Sequence, residues 1–132
     1  MWFNTSCQPY YVETFSDPAS GWYIDANDDR EFAYLDGTYR VLIKKPGSGW
    51  GVTVGAKAKD FTLAVDVRKA SGMGSYGVRF AINQNWTRFY DIYLNDQYYS
   101  IWYYDEQFPR HWSMIVNWTE NLAINPGESW NH

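Results

Sequence analysis

The chain has 132 residues, of which 45% are hydrophobic and 20% charged, and its formal net charge is -4. This length suits one domain, and the composition excludes wholesale disorder. Because 11 Lys and Arg residues stand against 15 Asp and Glu residues, the charge balance argues against nucleic acid and anionic membrane surfaces as partners. No apolar run reaches the roughly 18–20 residues of a membrane span, and a single cysteine excludes an internal disulfide.

Turn signals punctuate the chain about every ten residues, a spacing typical of antiparallel all-β sandwiches and barrels. They include Asp17-Pro18, Asp36-Gly37, Pro46-Gly47, Ser71-Gly72, Asn83-Gln84, Asn95-Asp96 and Pro126-Gly127. No stretch carries a sustained apolar stripe at 3.6-residue spacing, so we expect little or no helix. The predicted fold class is therefore all-β, an antiparallel sandwich of two sheets.

Between the turns, apolar and polar residues alternate, as they do in strands with one buried face. In chain order, this pattern predicts strands at residues 39–43, 61–68, 76–83 and 112–118. In the second strand, the residues expected on the buried face are Phe61, Leu63, Val65 and Val67. In the last strand, the residues expected to share a face are Trp112, Met114, Val116 and Trp118.

Residues 86–94 and 97–104 predict a hairpin across Asn95-Asp96 that is aromatic on both faces. Aromatic residues make up 20% of the chain, and this hairpin is rich in them. One face must serve the core. The other is predicted to be an exposed aromatic surface, and such surfaces often mark binding sites.

Several segments carry a resemblance to a known family. They are Phe15-Ser16-Asp17, Gly21-Trp22, residues 34–40, residues 60–68, residues 75–80, Val116-Asn117-Trp118-Thr119 and residues 123–127. Over nearly the whole chain, the sequence resembles a bacterial family of concanavalin A-like lectin/glucanase jelly-roll domains, with 3-keto-disaccharide hydrolase-like and laminin-G-like members. The resemblance implies a jelly-roll sandwich, an N-terminal arm at residues 1–12 and a single domain at residues 13–132.

The chain departs from the family pattern after His132, where two further strands are usual. A missing strand leaves unpaired backbone groups and an open apolar groove. Three interpretations stay open: a fragment of a longer product, a short variant whose N-terminal arm fills the gap, or a chain completed by a strand from another subunit. The last predicts a homo-oligomer formed through an open sheet edge.

Seven side chains are candidates for a carbohydrate-binding surface: Asp66, Arg68, Arg79, Asp91, Tyr93, Trp102 and Tyr104. Aromatic rings stack on the C–H faces of sugars, while Asp and Arg side chains hydrogen-bond sugar hydroxyls. Cross-strand packing and structural Arg–Asp pairs account for the same residues without a ligand. The favoured function is a non-catalytic, extracellular or cell-surface module that binds glycan or another protein surface.

A sugar-active hydrolase is the enzymatic alternative, because related family members carry that label. Hydrolysis usually needs two carboxylates roughly 5–9.5 Å apart, and Asp66 and Asp91 can lie on neighbouring strands. The arginines nearby disfavour the protonated acid that such an enzyme needs.

No catalytic residue, metal ligand or cofactor is predicted. The acidic stretch 25–29 resembles a calcium loop, but it lacks the glycine and the distal glutamate of such loops, so a solvated acidic turn is favoured and calcium stays open as the minor alternative.

Overall fold

The computed structural model describes residues 11–53 and 57–132, and within those ranges it contains strands, turns and loops but no helix. The chain divides into two compact units, Met1–Asp60 and Phe61–His132, each with one antiparallel sheet. The predicted fold class, all-β with two antiparallel sheets and little or no helix, is therefore confirmed. Most of the expected N-terminal arm, residues 1–10, lies outside the described residues. No membrane-crossing helix exists in the part of the chain that the structure describes.

The first unit holds a three-stranded sheet of β1 (Asp25–Ala26), β2 (Arg30–Leu35) and β3 (Thr38–Ile43), in the order β1-β2-β3. β2 and β3 form a hairpin across Asp36 and Gly37, whose φ angles are 48° and 70°. Two left-handed residues in a two-residue loop match a type I′ turn, for which Asp-Gly is a favoured pair. The strand predicted at residues 39–43 is confirmed, whereas β1 and β2 lie outside the predicted strands.

The second unit holds a four-stranded meander of β4 (Tyr76–Phe80), β5 (Arg88–Asn95), β6 (Tyr98–Asp105) and β7 (Trp112–Glu120), in that order. The predicted hairpin is confirmed as β5 and β6.

The strand β4 ends earlier than its prediction, at Phe80, because the backbone turns away at the next residue. Ala81 adopts a positive φ of 51°. The side-chain oxygen of Asn83 then accepts hydrogen bonds from the backbone N–H groups of Thr87 and Arg88, at 2.8 and 2.9 Å. These bonds fold residues 83–88 into a turn that leads into β5.

The prediction that Trp112, Met114, Val116 and Trp118 share one face of β7 is wrong. Trp102 pairs with Met114, but its neighbour Ile101 pairs with Val116, so Ile115 is an extra residue in the register. A β-bulge of this kind moves the side chains that follow it to the opposite face, up to the second register shift, which lies between the partners of Ile101 and Tyr99. Val116 therefore lies on the other side of the sheet from Met114.

The strand predicted at residues 61–68 is also absent. Val67 forms an isolated antiparallel bridge with Asn131, through two backbone hydrogen bonds of 2.8 Å. Residues 61–66 make no backbone–backbone hydrogen bond within the described ranges. Phe61 and Leu63 are 49% and 51% exposed rather than buried. The alternation of side chains is present in the sequence, but a strand also needs a paired neighbour, which residues 61–66 lack among the described residues.

Gly77 in β4 is predicted to tolerate no side chain. A Cβ at this position would overlap the backbone carbonyl oxygen of Ile92 on β5, the strand that pairs with β4. Because backbone atoms cannot move aside cheaply, Gly77→Ala should lower the free energy of unfolding by roughly 1–3 kcal/mol. Urea denaturation followed by circular dichroism measures this change.

Gly49→Ala is the matched control, because an added Cβ there meets open space. An equal midpoint of unfolding for the two variants would contradict the close approach of β4 and β5.

Candidate functional site

One face of the four-stranded sheet gathers a continuous set of polar and aromatic side chains. We call it the Asp91 face. It consists of Arg79, Phe89, Asp91, Tyr93, Ser100, Trp102, Tyr104, Trp112 and Met114. The register places Arg79, Asp91, Trp102 and Met114 directly opposite one another in a row across β4 to β7. Directly opposed residues point to the same side of a sheet, so these side chains are neighbours.

The centre of this face is a carboxylate that is bound by two other side chains. Asp91 is 3% exposed. Arg79 donates to it from Nε and Nη2, at 2.7 and 2.8 Å to its two carboxylate oxygens. The hydroxyl of Tyr93 donates to Oδ2 at 2.7 Å. Bidentate, charge-assisted bonds of this kind are among the strong ones, and here they compensate the burial of a charge.

The same contacts change the protonation of the donors. The hydrogen bond to Asp91 raises the pKa of Arg79, whose guanidinium stays charged. Burial, followed by the hydrogen bond to Asp91, raises the pKa of Tyr93 to about 12. The cluster is therefore an ion pair with a neutral phenol beside it at neutral pH.

Asp91 orients Arg79 and is not itself available to bind a ligand. Both carboxylate oxygens already accept hydrogen bonds, and the side chain of Asp91 is 4% exposed. The side chain of Arg79 is 38% exposed, so its outer edge can donate to a bound molecule. The arrangement supplies a fixed donor without a net charge.

Stacked rings extend from Arg79 across the sheet. Its guanidinium lies 3.8 Å from the ring centre of Phe89 on β5, and that ring stacks on Tyr104 of β6 at 4.6 Å with an interplanar angle of 8°. His111, in the turn before β7, follows at 5.9 Å from Tyr104 with an angle of 28°. We call this row, from Arg79 through Phe89 and Tyr104 to His111, the ring ladder.

Two tryptophans border the ring ladder. Trp112 meets Phe89 and Tyr104 edge to face, at 5.6 and 5.1 Å between ring centres. Trp102 lies 6.5 Å from Trp112, and its indole N–H donates to the hydroxyl of Ser100 at 3.0 Å. Ser100 is fully buried, so this bond satisfies a polar group that water cannot reach.

The structure brings five of the seven predicted site residues together on the Asp91 face. They are Arg79, Asp91, Tyr93, Trp102 and Tyr104. Asp66 and Arg68 lie instead on the extended segment before β4. Asp66 pairs with Nδ1 of His132 at 2.6 Å, and Arg68 lies 5.0 Å from the ring centre of Trp130. These two residues tie the segment to the C-terminal residues of the described chain.

Four members of the face are missing from the predicted site: Phe89, Ser100, Trp112 and Met114. Phe89 alternates in sequence with Asp91 and Tyr93, which already places it on their face. Trp112 and Met114 share a face within β7, but the sequence gives no register between β7 and the hairpin. That register is a property of the folded sheet.

The opposite side of the sheet borders an apolar groove of about 700 Å³. Its lining includes Val78, Phe80, Ile92 and Leu94 from the sheet, together with Phe61, Leu63, Val65 and Val67 from the extended segment. The residues predicted to form a buried strand face therefore line an open groove.

No cluster of three or more His, Cys, Asp or Glu side chains that is able to hold a metal occurs within residues 11–53 and 57–132. In the acidic stretch 25–29, Asp25 binds Nε of Arg30 at 3.0 Å. The side-chain oxygen of Asn27 accepts from the backbone N–H groups of Asp29 and Arg30. These oxygens stabilise the turn between β1 and β2.

Comparison with known proteins finds no matching family model, no similar curated protein and no similar solved structure. The resemblance to concanavalin A-like domains therefore stays a prediction from the sequence segments that carry it.

The pKa of Tyr93 gives a test of the cluster. Because the folded-state pKa is raised from 10.0 to about 12, the neutral phenol stabilises the fold fully below pH 10, and this contribution is lost as the pH rises through 12. Asp91→Asn should lower the pKa of Tyr93, since an amide accepts the phenol proton less strongly. The same change should reduce the free energy of unfolding by roughly 1.5–3 kcal/mol, as for a hydrogen bond to a charged group.

The ¹³Cζ chemical shift of Tyr93, followed by NMR against pH, reports its ionisation directly. Tyr93→Phe identifies the resonance. A titration of Tyr93 that is the same in Asp91→Asn as in the unaltered protein would rule out the hydrogen bond as a cause.

Proposed function

We propose that this protein is a non-catalytic carbohydrate-binding module that acts outside the cytoplasm, and that the Asp91 face is its binding surface. The observation that carries the proposal is the Arg79–Asp91 pair, a donor held in place next to the aromatic rings of the Asp91 face. The extracellular location is supported by the family resemblance alone.

Sugars need two kinds of contact, and the face offers both. The apolar C–H groups of a pyranose pack on aromatic rings, which bury large apolar areas at low entropic cost. The hydroxyl oxygens accept hydrogen bonds from fixed donors such as Arg79. Because Asp91 already holds the guanidinium, little side-chain entropy is lost on binding.

A hydrolase is less well supported by the same geometry. A glycosidase usually uses two carboxylates, one as general acid and one as base or nucleophile. Among the described residues of the Asp91 face, Asp91 is the carboxylate, and both of its oxygens are engaged by Arg79 and Tyr93. Asp66 is paired with His132 on a different segment.

Self-assembly is a second candidate function, favoured by a separate observation. Residues 61–66 form no backbone–backbone hydrogen bond within the described ranges, and their apolar side chains line the groove of about 700 Å³. An extended strand from a second copy of the chain would pair with this backbone and fill the groove, as in strand addition. This candidate uses the opposite side of the sheet and is compatible with glycan binding.

Carbohydrate binding is tested on a glycan array with the full chain. We expect at least one glycan to bind, and Trp102→Ala to weaken that binding because it removes a ring of the Asp91 face. Trp86→Ala is the matched control, since Trp86 is a 52% exposed tryptophan in the turn before β5. Far-UV circular dichroism verifies that both variants fold.

Two results would count against a sugar-binding face. One is an array on which no glycan binds. The other is a bound glycan that both tryptophan variants retain equally.

Self-assembly is tested by size-exclusion chromatography with light scattering, against a chain mass of 15.5 kDa. We expect a multiple of this mass, and a return to the single mass in Leu63→Asp, which places a charge in the groove. Leu122→Asp is the control, because Leu122 is 76% exposed. A single chain mass for the unaltered protein at all concentrations would exclude the assembly.

A further inference from the structure

The ring ladder leaves few aromatic faces open to a ligand, because its rings cover one another. Arg79 on β4 and Tyr104 on β6 lie on opposite sides of Phe89, at 3.8 and 4.6 Å from its ring centre. Tyr104 is in turn covered by Phe89 on one side and by His111 on the other. A sugar therefore cannot stack on Phe89 or Tyr104, although Tyr104 is one of the residues predicted for the site.

Trp112 differs from these rings in its orientation. Its plane makes angles of 75° with Phe89 and 68° with Tyr104, at 5.6 and 5.1 Å between ring centres. Because both faces of those two rings are already covered, it is their edges that meet Trp112. Edge-to-face contacts of this kind are favourable, since the positive ring edges point at a negative ring face.

One face of the Trp112 indole thus lies across the edges of the ring ladder, and the opposite face is turned away from it. The residue is 38% exposed, so part of it remains accessible to a ligand. Trp102 stands nearly perpendicular to it, at 81° and 6.5 Å, and its N–H is occupied by Ser100. The two indoles thus form two nearly perpendicular surfaces, with Trp112 as the base and Trp102 as the side wall.

We propose that Trp112 is the stacking platform of the Asp91 face, and that its ligand is an uncharged pyranose residue with an apolar C–H face. This inference rests on the carbohydrate-binding function proposed above. Trp112 supplies the flat apolar surface, Trp102 the adjoining wall, and the outer edge of Arg79 a hydrogen-bond donor.

The charge of the face selects between neutral and acidic sugars. In the three rows that contain Arg79, Phe89 and Tyr93, the charged residues of the Asp91 face are Arg79 and Asp91, and they neutralise each other. A sugar carboxylate placed here would lose its hydration without gaining an unpaired cation. An uncharged ligand matches the electrostatics of the surface.

The test uses isothermal titration with four hexasaccharides: cellohexaose, xylohexaose and mannohexaose as neutral probes, and hexagalacturonate as the acidic probe. We expect a neutral probe to bind more tightly than the acidic one. Trp112→Ala should weaken binding on the order of tenfold or more, as for an aromatic anchor at a binding centre. Trp86→Ala should bind as the unaltered protein does.

A second measurement keeps the inference testable if Trp112→Ala does not fold. The protein is labelled with 5-fluorotryptophan, and the Trp112 signal is assigned with Trp112→Phe. Titration with the tightest neutral probe should shift the Trp112 fluorine resonance more than that of Trp86.

The outcomes separate the inference from the function on which it rests. If neither the array nor the hexasaccharides show binding, the carbohydrate-binding function fails and the platform with it. If a neutral sugar binds but Trp112→Ala retains full affinity, or the Trp112 resonance does not move, the platform is wrong and the function stands. Tighter binding of hexagalacturonate would overturn the neutral ligand class.

Discussion

The ion pair between Arg79 and Asp91 is the interaction on which the arrangement of the second unit depends. A carboxylate that is 3% exposed within β5 would be strongly unfavourable if it were left unpaired. Arg79 compensates it from β4 with two hydrogen bonds, and Tyr93 adds a third from within β5. The pair therefore joins β4 to β5 through side chains as well as backbone. It also holds the guanidinium over Phe89, where the ring ladder begins.

Most aromatic residues of this protein pack on the faces of its sheets rather than in a buried core. Phe32 and Phe89 are the buried apolar side chains of the described chain, although aromatic residues form 20% of the sequence. Most of the other rings are half-buried and pack on one another across strands. Each such aromatic pair contributes about 0.5–1.5 kcal/mol beyond its buried area. The sheet of the second unit thus depends on cross-strand contacts on its faces more than on a deeply buried core.

The sequence predicted the β5–β6 hairpin, whose partners are close in the chain, but it missed β2, which pairs with β3 across two residues, and it failed at residues 61–66, where pairing depends on distant residues. The β5–β6 hairpin was predictable because its alternation and its Asn95-Asp96 turn are local signals. Residues 61–68 show equally clear alternation, but a strand needs a neighbour. The described chain supplies one at Val67 alone.

The residues of the candidate site likewise fall into those that the sequence could group and those that it could not. Arg79, Asp91 and Tyr93 could be grouped from alternation within adjacent strands. Trp112 could not, since a bulge at Ile115 and the β6–β7 register decide where it lies. The covering of Tyr104 by its neighbours is likewise visible only in the structure, because ring orientations leave no pattern in the sequence.

The two faces of the four-stranded sheet have opposite requirements. On the Asp91 face, the carboxylate of Asp91, the hydroxyl of Tyr93 and the indole N–H of Trp102 all have partners within the face. Because its polar groups already have hydrogen-bond partners, such a surface is stable in contact with water without another protein segment packed on it. It can therefore bind a polar ligand that also has an apolar side. On the opposite face, Val78 and Ile92 border an open apolar groove whose other wall, residues 61–66, has unpaired backbone among the described residues. An apolar, strand-like segment that covers that face would stabilise it. The two proposed functions, sugar recognition and chain association, would thus use different sides of the sheet, and one physical criterion separates them, which is whether the polar groups of each side are already paired.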